Sequence, residues 1–119
     1  MSDHPIVHIE FSTQNREATG KFYSNLFGWK VQQMPEANYA MWEAPGGLAG
    51  GFNPVGENNP AGNVLVYVGT DDIEASLTKA QSLGAKVLSH KTEIPNFGWF
   101  GIFLDPDGNQ VALYTAMKP

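Results

Sequence analysis

The strongest constraint on the fold of this chain is a unit that occurs twice. The hexapeptide LFGWKV at 26–31 is echoed by SLGAKV at 82–87, and each ends a helix-period segment with a glycine before a strand-like run. Another strand-like run precedes each hexapeptide, Ile6 to Phe11 and Asn63 to Val68, and two more follow it. The sequence therefore predicts strand, helix, strand, strand, strand, used once over 6–53 and again over 63–116.

This repeat predicts both the fold class and the domain organisation. With 119 residues, the chain is the right size for one domain over 1–119, and the Pro-, Gly- and Asn-rich stretch 53–62 joins its two halves. We expect an α+β fold in which two tandem βαβββ units form a curved mixed sheet around a cleft, with the helices outside. The cleft is where we expect the function to lie.

The first helix is predicted from about Asn15 to Phe27. Asn15 has a side chain suited to the N-cap, and Ala18, Phe22 and Leu26 recur every four residues. We expect these three to form the buried stripe. Gly20, within the helix, predicts close packing.

The second helix is predicted from its capping signal. Asp71 and Glu74 have the spacing of a capping box, and the helix is expected to end at Gly84. Its expected buried stripe comprises Ile73, Leu77, Ala80 and Leu83.

Charge and composition exclude several classes of protein. The net charge is −5, with one arginine and six scattered lysines, so no basic stripe is available for a nucleic-acid backbone. No apolar run reaches the roughly 20 residues of a membrane span, and residues 1–8 lack the features of a signal peptide. The absence of cysteine excludes disulfides and thiolate chemistry. We expect a cytoplasmic protein without nucleic-acid or membrane partners.

Several segments together resemble the vicinal oxygen chelate superfamily, which includes glyoxalase I, extradiol dioxygenases and the fosfomycin- and bleomycin-resistance proteins. They are HIEF at 8–11, FYSNLFGW at 22–29, and the stretch 100–113 with DPDGN at 105–109. The resemblance covers essentially the whole chain, in order and spacing. It predicts the fold strongly and the function weakly, because one fold hosts many activities.

The resemblance implies a divalent metal held by four side chains, one from the first and one from the last strand of each unit. His8 matches the first position, but its counterpart in the second unit is Val64 or Leu65. The last-strand positions are Gly51 and Ala112. Since none of these three can ligate a metal, we expect neither the family's metal nor any other cofactor.

His8 and Glu10 are the best candidates for catalytic or ligand-binding side chains. They share a face of the first strand, so His8 could act as a base or hydrogen-bond partner, or simply pair with Glu10 or a backbone carbonyl. The last strand places Gln110 and Tyr114 on the face of the absent ligand at 112. The full predicted ligand-binding set is His8, Glu10, Tyr39, Trp42, Trp99, Gln110 and Tyr114, of which at least one middle-strand aromatic is expected to be core or dimer contact.

Two functions of different classes are compatible with this sequence. One is a binding protein of the bleomycin-resistance type, whose aromatic cleft takes a neutral or cationic small molecule without the metal. The other is a glyoxalase-like lyase or related enzyme that is metal-free or has an atypical metal site. A glutathione adduct is disfavoured because its carboxylates require Arg or Lys partners and Arg16 is the sole arginine.

We also expect a homodimer. The resemblance implies pairing, since family members of this length commonly pair so that two subunits complete each cleft, and twofold pairing is the commonest oligomeric state. The apolar run Val64 to Val68 and the aromatic residues near Trp29 and Trp99 are the expected contacts.

Overall fold

The chain divides into two compact units. The structure, a computed structural model, describes residues 3–57 and 59–117. The first unit is His8–Leu65, and the second is the chain from Val66 onward together with the residues before His8. Each strand that crosses one of these boundaries has most of its residues in one unit and is counted with that unit.

The first unit contains four strands and one α-helix among its described residues. They are β1 (Ile6–Thr13), α1 (Arg16–Phe27), β2 (Lys30–Met34), β3 (Tyr39–Glu43) and β4 (Ala49–Pro54), with a 3-10 turn at Pro35–Ala37. The strands lie in the order β2-β3-β4-β1. β1 runs parallel to β4, while the other neighbouring strands are antiparallel.

The second unit repeats this arrangement. Its elements are β5 (Val64–Gly69), α2 (Ile73–Ser82), β6 (Lys86–Ile94), β7 (Gly98–Leu104) and β8 (Gln110–Ala116). The order is β6-β7-β8-β5, with β5 parallel to β8 and the other pairs antiparallel. The predicted α+β class and the tandem βαβββ units with mixed sheets are confirmed.

The core of the first unit lies between α1 and one face of its sheet. Ala40, Trp42 and Phe52 are buried, and Tyr23 of α1 stacks near Phe52 with ring centroids 5.7 Å apart. Gly20 allows this close approach, because a β-carbon there would lie 2.9 Å from Cγ1 of Val31. The predicted close packing at Gly20 is confirmed.

The predicted buried stripe of α1 is wrong. Phe22 and Leu26 are 58% and 57% exposed, and Ala18 is also exposed. The helix instead turns Gly20 and Tyr23 toward the sheet. Its cap is as predicted, since the Asn15 side chain accepts a hydrogen bond from the Ala18 amide at 3.0 Å.

The N-cap of the second helix lies one residue later than predicted. Asp72, not Asp71, is the N-cap and accepts a hydrogen bond from the Ala75 amide at 3.0 Å. Ile73 and Leu77 are buried as predicted and Ala80 is half-buried, but the prediction is wrong for Leu83, which follows the last helical residue and is 71% exposed.

Candidate functional site

The candidate site of the first unit lies on the face of its sheet that is turned away from α1, here called the helix-free face. Ile9 and Phe11 pack into the helix-side core, so strand alternation directs His8 and Glu10 to the helix-free face. Tyr39 lies on the same face, because the core residues of β3 are Ala40 and Trp42.

Three predicted site residues form one hydrogen-bonded chain on this face. The hydroxyl of Tyr39 donates to Oε2 of Glu10 at 2.6 Å, and Nε2 of His8 lies 2.8 Å from the same hydroxyl. Nε2 of His8 is also 3.5 Å from Oε2 of Glu10. Glu10 is only 8% exposed. Because a buried carboxylate needs donors to replace water, the hydrogen bond from the Tyr39 hydroxyl helps to stabilise Glu10 there.

Gly51 makes room for this chain of contacts. In register, Gly51 of β4 lies beside Glu10 of β1 on one side and Met41 of β3 on the other. The phenol of Tyr39 therefore crosses over β4 to reach Glu10. A β-carbon at Gly51 would overlap the Tyr39 hydroxyl, so any side chain at position 51 would displace it.

The residues present do not fit the metal site that the superfamily implies. The phenol of Tyr39 occupies the space of a ligand at Gly51, and Ala112 is fully buried with only a methyl group to offer. Val64 and Leu65 are hydrocarbon side chains. Across residues 3–57 and 59–117, no group of three or more His, Cys, Asp and Glu side chains could hold a metal ion.

The second unit has its own helix-free face, which holds Gln110 and Tyr114. These residues alternate with Leu113, which packs against α2. The Tyr114 hydroxyl donates to the carbonyl of Phe97 at 2.9 Å, and burial raises the pKa of Tyr114 above 10.0. Tyr67 of β5 shares this face through its register with Ala112. That Gln110 and Tyr114 join His8 in one cleft stays a prediction.

Two predicted site residues lie on the helix sides of their sheets instead. Trp42 is 4% exposed and stacks on Trp29 with centroids 4.4 Å apart, while its Nε1 donates to the carbonyl of Gly51. Trp99 packs against the core of the second unit, with Nζ of Lys91 lying 4.9 Å from its ring centroid. Both belong to helix-side cores, as expected for at least one middle-strand aromatic, and they lie on the opposite faces of their sheets from His8 and Tyr114 respectively.

Sequence reasoning missed the placement of two tyrosines. Tyr67 was not singled out, although its place in β5 puts it beside the last strand. The link between Tyr39 and Gly51 was also missed, although consecutive glycines within a strand indicate a close approach by another group.

The comparisons with known proteins agree with this fold. The glyoxalase-like domain family matches residues 8–114. A glyoxylase-like domain-containing protein of Didymella fabae is 30% identical over 118 residues, covering 92% of both chains. Two mycobacterial relatives are longer than this chain. The match to them, at 27% identity, covers 92% of this chain, which spans only 45% of their length.

Solved structures show the same fold at low identity. A hypothetical protein of Bacillus halodurans superposes with a TM-score of 0.77 at 13% identity, covering 99% of this chain and 98% of that one. The Mn(II)-bound glyoxalase of Novosphingobium aromaticivorans gives 0.67 at 19% identity, covering 92% of this chain and 38% of that one.

The repeated βαβββ unit and these matches define a protein of the vicinal oxygen chelate superfamily. Within it, the chain belongs to the glyoxalase-like domain family.

Proposed function

We propose that this protein binds a neutral or cationic small organic molecule at His8, Glu10 and Tyr39, without the four-ligand metal site of the superfamily. The observation that carries the proposal is the position of the Tyr39 phenol, which fills the space of a ligand at Gly51 and hydrogen-bonds to Glu10. On this face, His8, Tyr39 and Glu10 form hydrogen bonds with one another instead of binding a metal ion.

The charges of the first unit support a ligand that is not an anion. Glu10 puts a carboxylate on the helix-free face, and Lys30 at the outer strand lies opposite Glu43 in the register. Arg16 is on α1, which packs against the other face of the sheet. Lys21 is on α1 as well. Among the described residues of the first unit, an anionic ligand beside Glu10 would therefore find no Lys or Arg on its own face to offset the cost of desolvating its charge, apart from Lys30, whose register partner is Glu43.

A thermal-shift screen of neutral, cationic and anionic metabolites tests this function. For compounds that stabilise the protein, we expect His8→Ala to weaken binding about tenfold, the effect of losing one hydrogen bond worth ~1.4 kcal/mol. His90→Ala, which changes an exposed histidine of the second unit, is the control and should leave binding unchanged. A screen in which only anions bind, or binding unaffected by His8→Ala, would contradict the proposal.

The alternative function is that of a glyoxalase-like lyase. It is supported by the glyoxylase-like name of the fungal relative and by the glyoxalase among the structural neighbours. The direct test is turnover of the hemithioacetal that methylglyoxal forms with glutathione. We expect none, since this substrate is anionic, and robust turnover would favour the lyase.

We also propose that the protein is a homodimer. The support is the set of exposed apolar side chains on α1, since Phe22, Leu26 and Phe27 are each more than half exposed. Of the residues predicted for the contact, Val64 is 49% exposed, but Leu65 is buried and Trp29 stacks in the core. Sedimentation at micromolar concentration should give twice the 13.0 kDa mass of one chain, and a monomer would contradict the proposal.

A cytoplasmic location stays a prediction. Among residues 3–57 and 59–117, neither helix is long and apolar enough to span a bilayer.

A further inference from the structure

The hydrogen-bonded chain of the first unit has a defined direction. A phenol carries a single hydrogen, and the Tyr39 hydroxyl donates it to Glu10 at 2.6 Å. In its hydrogen bond with Nε2 of His8, 2.8 Å away, the Tyr39 oxygen can therefore only be the acceptor. It follows that Nε2 of His8 carries a hydrogen.

We propose that Tyr39 is a positioning residue that fixes His8 in the tautomer with hydrogen on Nε2. In a neutral imidazole with a hydrogen on Nε2, the lone pair is on Nδ1. Glu10 completes the arrangement, because its carboxylate accepts the Tyr39 hydrogen and so keeps the phenol oxygen available to His8. Gly51 permits it by leaving the space that the phenol fills.

The consequence of this tautomer for ligand binding rests on the proposed function and specifies its ligand class. With the lone pair on Nδ1, that nitrogen of the neutral ring can only accept a hydrogen bond. Any protein group that hydrogen-bonds to Nδ1 must therefore donate the hydrogen. A ligand that takes the place of such a group must also be a hydrogen-bond donor. The site would favour alcohols, phenols and ammonium groups over carbonyl compounds, which only accept.

The second unit provides an internal reference with the opposite tautomer. Nδ1 of His90 lies 3.1 Å from Oε1 of Glu74. Hydrogen bonds from the Lys91 amide and His90 hold the pKa of Glu74 below its usual value of 4.5, so this carboxylate is ionised at neutral pH and only accepts. While this contact is made, His90 carries its hydrogen on Nδ1.

Nitrogen-15 NMR of the ligand-free protein tests the inference directly. Long-range proton–nitrogen spectra distinguish the two tautomers of each ring, recorded about two units above the ordinary histidine pKa of ~6.5 so that neutral rings dominate. We expect His8 with hydrogen on Nε2 alone and His90 with hydrogen on Nδ1. Tyr39→Phe should leave His8 in a mixture of both tautomers, while Tyr114→Phe, which removes a phenol hydroxyl from the second unit, should not.

Gly51→Ala provides a second variant that leaves Tyr39 in the chain. The added methyl would displace the phenol, so His8 should again become a mixture. His8 with hydrogen on Nδ1 in the unaltered protein, or a tautomer unchanged in both variants, would overturn the inference. Since no ligand is present, this result is independent of whether the proposed function is correct.

Three small probes test the ligand class. Benzyl alcohol and benzylammonium offer a donor, whereas benzaldehyde, of similar size, offers only an acceptor. We expect the two donors to shift the His8 ring resonances and benzaldehyde to shift them less. An equal or larger response to benzaldehyde, or no response to any of the three, would overturn the preference for donors even if the tautomer is as stated.

Discussion

The phenol of Tyr39 lies where the side chain of residue 51 would be. A β-carbon built on Gly51 overlaps the Tyr39 hydroxyl, which is hydrogen-bonded to Glu10 at 2.6 Å. The two residues are twelve positions apart on neighbouring strands. The position of the Tyr39 ring depends on the absence of a side chain at Gly51. Without a side chain at 51, the tyrosine can reach a buried carboxylate two strands away.

Gly51→Ala should destabilise the protein by about 1–3 kcal/mol, the usual cost of overpacking a filled site. Gly47→Ala is the matched control, because a β-carbon there has its nearest contacts at 3.8 and 3.9 Å, ordinary packing distances. Chemical denaturation of both variants gives the comparison. Equal stability of the two would show that the phenol does not need the space at Gly51.

Tyr39→Phe should cost about 1.5–3 kcal/mol, because it removes a charge-assisted hydrogen bond to a carboxylate that is 8% exposed. Tyr114→Phe removes a neutral hydrogen bond to the Phe97 carbonyl and should cost about 0.5–1.5 kcal/mol. Urea unfolding measures both. A larger loss for Tyr114→Phe would mean that the Glu10 carboxylate is supported by other groups.

Leu77→Ala should destabilise the protein by about 2–5 kcal/mol, since this side chain is 1% exposed in the core of the second unit. Leu26→Ala, at a site that is 57% exposed on α1, should change stability by about 0.5 kcal/mol or less. Thermal unfolding of both variants measures the two changes in stability. A low protein concentration keeps any dimer contact of Leu26 from contributing to the result. A large cost for Leu26→Ala would restore the stripe predicted from the sequence.

The hydrogen bond from the Lys91 amide, followed by that from His90, lowers the pKa of Glu74. A group with a depressed folded pKa contributes stability above its unfolded value, here 4.5, and the contribution is lost as the pH falls through the folded pKa. Glu74→Gln should therefore be less stable than the unaltered protein at neutral pH, with the gap closing below that value.

The control for this pH series is Glu93→Gln, which removes one acidic group from an exposed position on β6. Comparison with this variant removes the general effect of losing one surface charge on β6 from the Glu74→Gln result. A gap for Glu74→Gln that stays constant down to strongly acidic pH would contradict the role assigned to the carboxylate.

The sequence predicted the repeated unit because its signals are local. Gly28 ends α1 with a φ of 75°. In the turn at 105–109, the backbone of Asp105 accepts a hydrogen bond from Gly108 and donates one to Asn109, as the composition of this segment indicates. The first strand is equally clear, since apolar and polar residues alternate along it. Each signal depends on residues close together in the chain.

The register of α1 could not be predicted in the same way. Ala18, Phe22 and Leu26 form an apolar stripe by spacing, but the helix packs through Gly20 and Tyr23. A glycine contributes nothing to a count of apolar residues, yet it lets the helix approach the sheet closely. For α2, the capping-box spacing pointed to Asp71, but the N-cap is Asp72, whose backbone is extended and whose side chain accepts a hydrogen bond from the Ala75 amide.

The candidate site was predicted in its members but not in its contacts. Alternation alone placed His8 and Glu10 on one face. That Tyr39 joins them depends on a ring crossing an intervening strand, and no local pattern reports such a contact. The misplacement of Trp42 and Trp99 has a related cause, because either face of a middle strand can hold a large aromatic residue.

Elemental analysis of protein purified without a histidine tag tests the central claim most directly. If the Tyr39 phenol has replaced a metal ligand, the dialysed protein should hold far less than one equivalent of zinc, nickel, iron or manganese, and His8→Ala should not change that content. About one equivalent of tightly bound metal, as family-type sites with several protein ligands retain, would contradict the claim if it were lost in His8→Ala.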